Sequence, residues 1–167
     1  MKKILSLALA LAMIGTALTG CGSKDAATKT PAENTQQTAP VQQEQSQTEK
    51  ALALINTFAT GDTDTARSLL ADGYIQHNLA YGTGADAFIG SVEYLASADV
   101  KTTVNNIRAF EDGDKVFLQT IYNFAGAGEQ VAFDIFRFDG DGKIAEHWDV
   151  METIADKSTW QNENGKF

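Results

Sequence analysis

Glu129-Gln130-Val131-Ala132-Phe133-Asp134-Ile135-Phe136-Arg137-Phe138, then Asp139-Gly140-Asp141-Gly142, then Lys143-Ile144-Ala145-Glu146-His147-Trp148-Asp149-Val150-Met151: the chain here places two runs of period-two residues on either side of a glycine-rich reversal. A strand turns successive side chains to opposite faces, so such runs are expected to pair with one face buried. Glycine and, less readily, aspartate accept the positive φ that a tight hairpin needs. Residues 129–138 and 143–151 are therefore expected to form two antiparallel strands. The same period extends backwards through residues 100–110 and 115–124, which reverse at Asp112-Gly113-Asp114. Asp139-Gly140-Asp141-Gly142 also resembles the start of a calcium loop, but the fifth and twelfth positions would be Lys143 and Val150, and a hairpin turn accounts for it.

Upstream of these strands the period is helical. Ala51, Leu52, Leu54, Ile55, Phe58 and Ala59 recur at three- and four-residue spacing from about Glu49 and stop at Gly61. Asp62 or Thr63 can cap a second, shorter helix carrying Ala66, Leu69 and Leu70, ending around Asp72-Gly73. Tyr74-Ile75-Gln76-His77-Asn78 reads as a short extended or turn-like piece, and Phe88, Ile89, Val92, Tyr94 and Leu95 give a third helix to about Ala98. Helices first and a meander of strands second predict an α+β domain over residues 49–167, not an alternating parallel sheet.

The N-terminus is of a different kind. Lys2 and Lys3 precede an apolar run over residues 4–17, and no acidic residue occurs before Asp25. A membrane-spanning helix needs about 20 apolar residues, so residues 1–20 read as a removable export signal. Leu18-Thr19-Gly20-Cys21 resembles the lipobox of bacterial lipoproteins. That resemblance implies a diacylglyceryl group on Cys21, the only cysteine in the 167 residues, and an extracytoplasmic domain anchored to a cell membrane. One thiol offers neither a disulfide nor a zinc site within the chain. Residues 22–48 are rich in Ala, Thr, Gln, Glu, Lys, Ser and Pro, with Val41 as their only large aliphatic residue. They bury too little to offset about 1–2 kcal/mol of backbone entropy per residue and read as a tether; a segment recognising cell-wall polymer is the alternative. The net charge is −9, and loss of Lys2 and Lys3 makes it −11, which disfavours nucleic acid and anionic surfaces as partners.

Candidate chemistry lies in the two quoted strands. Asp134 shares a face with Ala132, Phe136 and Phe138, while Arg137 points the other way with Phe133 and Ile135. His147 and Asp149 share a face with Ala145 and Met151, opposite Trp148. If the hairpin pairs these strands suitably, Asp134 meets His147 and Asp149, although a slip of one residue would invert every side chain. A carboxylate among aromatics is a candidate acid or base. His77, the only other histidine, is a third contributor. Each has a plainer reading: Asp134 paired with a lysine or arginine, His147 and Asp149 solvated, His77 bonded to a loop backbone. No metal-ligand spacing is present, and neither a metal nor a cofactor is expected.

Tyr74-Ile75-Gln76-His77-Asn78, Asp134-Ile135-Phe136-Arg137 and Gly142-Lys143-Ile144-Ala145-Glu146-His147-Trp148-Asp149-Val150 resemble the SnoaL-like branch of the nuclear transport factor 2-like superfamily. The resemblance implies a cone, in which a curved antiparallel sheet packs on three N-terminal helices around an apolar pocket. It also implies a cofactor-independent acid–base enzyme of the aldol or polyketide-cyclase type, with His77, Asp134, His147 and Asp149 as the catalytic polar groups. The ligand would be small and apolar, and a homodimer would use the outer sheet face with Trp148 and Phe133. The alternative is a lipoprotein that binds a small molecule without turning it over.

Overall fold

The computed structural model describes residues 44–167. The expected export signal, Cys21 and most of the expected tether lie outside the described residues. Helix α1 (Gln47–Thr60) starts two residues before the expected boundary at Glu49 because Ser46 closes a capping box: its side chain accepts from Glu49 N, and the Glu49 carboxylate takes the Ser46 N–H at 2.8 Å. The helix buries Ala51, Leu54 and Ile55 and ends at Gly61, whose φ of 74° closes it in the left-handed region. Asp62 then caps α2 (Thr63–Leu69) by accepting from Thr65 N. Helix α3 (Ala85–Ser97) buries Phe88, Ile89, Val92 and Leu95.

Five strands follow the chain as β1 (Leu70–Gln76), β2 (Thr103–Asp112), β3 (Lys115–Asn123), β4 (Gln130–Phe138) and β5 (Ile144–Thr153). They form one curved sheet in the order β1-β5-β4-β3-β2. Four of them match the expected meander. The fifth, β1, corrects the sequence reading: α2 stops at Leu69, and residues 70–76 form a strand that runs parallel to β5, so the sheet is mixed rather than purely antiparallel. Leu70 pairs with Ile144 and Ile75 with Glu146, so the residues between Leu70 and Ile75 bulge past Ala145 alone. Asp72-Gly73 lies inside that bulge, which is why it carries a turn signature without ending the element.

The concave face of the sheet packs on the helices. Val116, Leu118, Ala132, Phe136, Phe138 and Ile144 meet Leu54, Ile55 and Val92 in one core. On the convex face, the register lines up Phe110, Phe117, Ile135 and Trp148 in a row across β2 to β5. The C-terminal segment returns to this face, where Lys166 O accepts from Gln119 Nε2 at 2.8 Å. At the β4–β5 turn, Asp139 Oδ1 accepts from Asp141 N and Lys143 N at 3.0 and 2.9 Å, the internal bonding of a hairpin turn. Among the described residues no helix is long and apolar enough to cross a membrane.

Candidate active site

The β4–β5 register settles what the sequence left open. Asp134 lies directly opposite Asp149, and Phe136 opposite His147, so the two acids and the histidine share the concave face. His147 Nε2 is 3.1 Å from Asp134 Oδ1 and 3.9 Å from Asp149 Oδ2. The imidazole stacks on the Phe136 ring at 4.3 Å and 10°, which fixes its plane. Asp134 and His147 are both buried. Arg137 points to the convex face and pairs with Glu146, so the plainer reading of Asp134 as the partner of a lysine or arginine does not hold.

Tyr122, on β3, donates its hydroxyl to Asp134 Oδ2 at 3.0 Å. Both oxygens of Asp134 are thus engaged, one by Tyr122 and one by the histidine. Asp149 differs: Asn78 Nδ2 donates to its Oδ1 at 2.6 Å, and its Oδ2 takes no hydrogen bond from a described residue. Burial pushes the Asp149 carboxyl above the usual carboxylate range, and the charge of Asp134 adds to that, against the opposing pull of His147 and Asn78. Burial also raises the Tyr74 and Tyr122 hydroxyls, with Asp149 and Asp134 nearby acting in the same direction, so both remain protonated donors through the neutral range.

The edge strand reverses one expectation. Gln76 and Asn78 reach into the site, and His77 between them does not. Alternation turns the His77 ring to the convex face, where it stacks on Trp148 at 4.3 Å and 6° and its Nε2 lies 2.9 Å from Glu146 Oε2. His77 and Arg137 together hold the Glu146 carboxyl below its usual range, the His77 hydrogen bond contributing most. Gln76 instead pairs in register with His147. Its Nε2 lies 3.0 Å from His147 Nδ1 and donates to the Tyr74 hydroxyl at 3.2 Å. The sequence reading therefore missed Tyr74, Gln76, Asn78 and Tyr122. For Tyr122 a signal was present, since it shares the period-two face of Val116, Leu118 and Thr120.

This cluster closes the polar end of a cavity of about 620 Å³. Phe58, Phe88, Phe124 and Met151 supply apolar wall, and Tyr81 and Tyr94, both substantially exposed, stand among the lining residues on the solvent side. A pocket that is mostly apolar with a few convergent polar groups is the usual form of a small-molecule site. One ligand atom each from Asp134, His147 and Asp149 also falls within a 4.8 Å cluster, a donor set able in composition to hold a metal ion.

A profile of the SnoaL-like domain family matches residues 51–147. No curated protein matches the chain significantly in sequence. Among solved structures, the chain is similar to an NTF2-like protein of unknown function from Cytophaga hutchinsonii, at 16% identity over 66% of this chain and 94% of that one, with a TM-score of 0.57. It is also similar to wild-type IdmH, a proposed polyketide cyclase from Streptomyces antibioticus, at 19% identity over 65% and 93% of the two chains, with a TM-score of 0.53. A third similar structure is an LEH-like epoxide hydrolase from M. tuberculosis, at 19% identity over 62% and 80%, with a TM-score of 0.54. Likeness at these identities establishes a shared nuclear transport factor 2-like fold.

Proposed function

The chain belongs to the SnoaL-like domain family, and from that premise we propose that it is a cofactor-independent acid–base enzyme acting on a small apolar carbonyl compound, of the aldol or polyketide-cyclase type. One observation carries the proposal: Asp149, raised by burial, has one oxygen that takes no hydrogen bond from a described residue, at the polar end of an aromatic cavity. In this reading Asp149 Oδ2 removes a proton from the carbon next to the carbonyl. The charge that develops on the substrate oxygen is met by the Tyr74 hydroxyl, whose oxygen accepts from Gln76 and whose proton is not donated to any described residue. Asp134 is a weaker candidate for the base, since both its oxygens are engaged. His77 is set aside as the proton donor, since it stands on the convex face.

The competing reading keeps the same pocket and removes the chemistry: the polar groups only orient a bound molecule at the cell surface. The export signal favours it, because it sends the domain away from the cytoplasm where such substrates are usually made. Deuterium exchange separates the two. A panel of small apolar ketones and β-keto esters is incubated with the protein in D2O and followed by NMR. The enzyme reading expects exchange at the α-carbon of at least one compound, slowed about 10²–10⁴-fold in Asp149→Asn. A compound that is retained by the protein but exchanges no faster than in buffer defeats that reading for its class. We further propose that the domain is held outside the cytoplasmic membrane by lipid on Cys21, where two acyl chains anchor what one holds marginally.

A further inference from the structure

The side chain of Gln76 has only one way round. Its Oε1 accepts the backbone N–H of Asn78 at 2.9 Å, so its Nε2 must face the opposite side, toward the Tyr74 hydroxyl at 3.2 Å and His147 Nδ1 at 3.0 Å. Reversing the amide would set Nε2–H against the Asn78 N–H, donor against donor. An amide nitrogen donates and does not accept, so His147 Nδ1 must be the acceptor. The proton of the neutral ring then sits on Nε2, which is 3.1 Å from Asp134 Oδ1.

We propose that Gln76 is a positioning residue that holds His147 in its Nε2–H tautomer and so keeps the Asp134–His147–Asp149 cluster a proton-handling site rather than a cation site. A metal needs a ring nitrogen with a bare lone pair. Here the Nδ1 lone pair is taken by Gln76, and Nε2 carries hydrogen toward Asp134. The donor set within 4.8 Å is metal-like in composition, yet its histidine is closed on both sides. Asn78 is fixed by the same device: its Oδ1 accepts from Ala80 N at 2.9 Å, which commits its Nδ2 to Asp149. The edge strand and the loop after it thus set the hydrogen-bond polarity of the whole cluster through two backbone N–H groups. The tautomer stands on this geometry alone; only its value to catalysis rests on the acid–base reading above.

The test needs no substrate. The chain has two histidines, so protein labelled with 15N-histidine gives two sets of ring signals, told apart with His77→Gln. Near neutral pH, His147 is expected to show a bare Nδ1 and a protonated Nε2, and Zn²⁺ is expected to leave its signals in place. In Gln76→Glu the carboxylate can accept from the Asn78 N–H and from the ring together, so a proton is expected on Nδ1. A protonated Nδ1 in the wild type, His147 signals displaced by Zn²⁺, or a Gln76→Glu ring unchanged from the wild type would each overturn the proposal. The wild-type measurement decides the tautomer even if the variant fails to fold, and a ketone panel without turnover leaves it standing.

Discussion

Asp149 faces Asp134 directly on the neighbouring strand, and among the described residues it lacks the second hydrogen bond that Asp134 receives. Burial raises its pKa above the usual 3.8, so the folded state holds this proton more tightly than the unfolded chain does. The sign follows. Stability from this group is fully present below pH 3.8 and is lost as pH rises through the raised value, so at neutral pH the ionised carboxylate works against folding. Asp149→Asn keeps an acceptor for Asn78 Nδ2 and removes the charge. Its Tm at neutral pH is expected to equal or exceed that of the wild type, with the gain shrinking as the pH is lowered toward the ordinary carboxylate range. Thermal unfolding followed by circular dichroism at several pH values checks this. A variant less stable than the wild type at neutral pH would mean that the charge is better solvated in the pocket than its burial implies. A stable, inactive Asn variant is the pattern expected where activity demands an unfavourable group.

At the scale of elements, the cavity depends on how α1 and α3 approach each other. Gly61 closes α1 at a φ of 74°, and a Cβ built there would stand 2.8 Å from the Cβ of Ala96 on α3. Left-handed backbone costs an L residue about 1–2 kcal/mol, and the contact adds to it because α3 must move. Helix α3 carries Phe88, Ser91 and Leu95 of the cavity wall, so this joint connects stability to pocket shape. Gly61→Ala is expected to lower Tm by several degrees, and by more than Gly113→Ala. Gly113 shares the positive φ, at 61°, but a Cβ there meets nothing within 4 Å. Equal losses in the two variants would show that the approach of α3 is not limiting. The bulge in β1 works at the same scale: it brings Gln76 beside His147 while its turn residues stand clear of the ladder.

At the scale of the whole molecule, a strongly acidic chain with a net charge of −9 is poorly suited to adhere to an anionic membrane by its own surface. The proposed lipid on Cys21 would supply the attachment, leaving the pocket to face small molecules outside the cytoplasm. Intact-mass analysis of membrane-derived protein is expected to show cleavage before Cys21 and an added diacylglyceryl group. Cys21→Ser is expected to move the chain from the membrane fraction to the soluble fraction. A wild-type chain that carries no lipid would defeat the anchoring proposal and leave the pocket chemistry untouched, because Cys21 precedes every residue of the site.

Periodicity is written locally, and what depends on it was legible in the sequence. The apolar spacing of α1 and α3, the glycine at Gly61, the hairpin turns, and the fact that His147 and Asp149 share a face of their own strand, as Asp134 and Phe136 do of theirs, all follow from neighbours a few residues apart. The α+β class follows from the order of those periods. Register is not local. The opposition of Asp134 and Asp149 required the folded hairpin, since a shift of one residue would have turned every side chain over. Strand β1 was hidden for the same reason: its hydrogen-bond partners lie in β5, with Gln76 meeting His147 at a separation of 71 residues, and its bulge carries the residues of a turn. Tertiary structure therefore decided that Gln76 and Asn78 enter the site while His77 leaves it, because a parallel edge strand assigns its faces through pairing with a distant partner and not through its own composition.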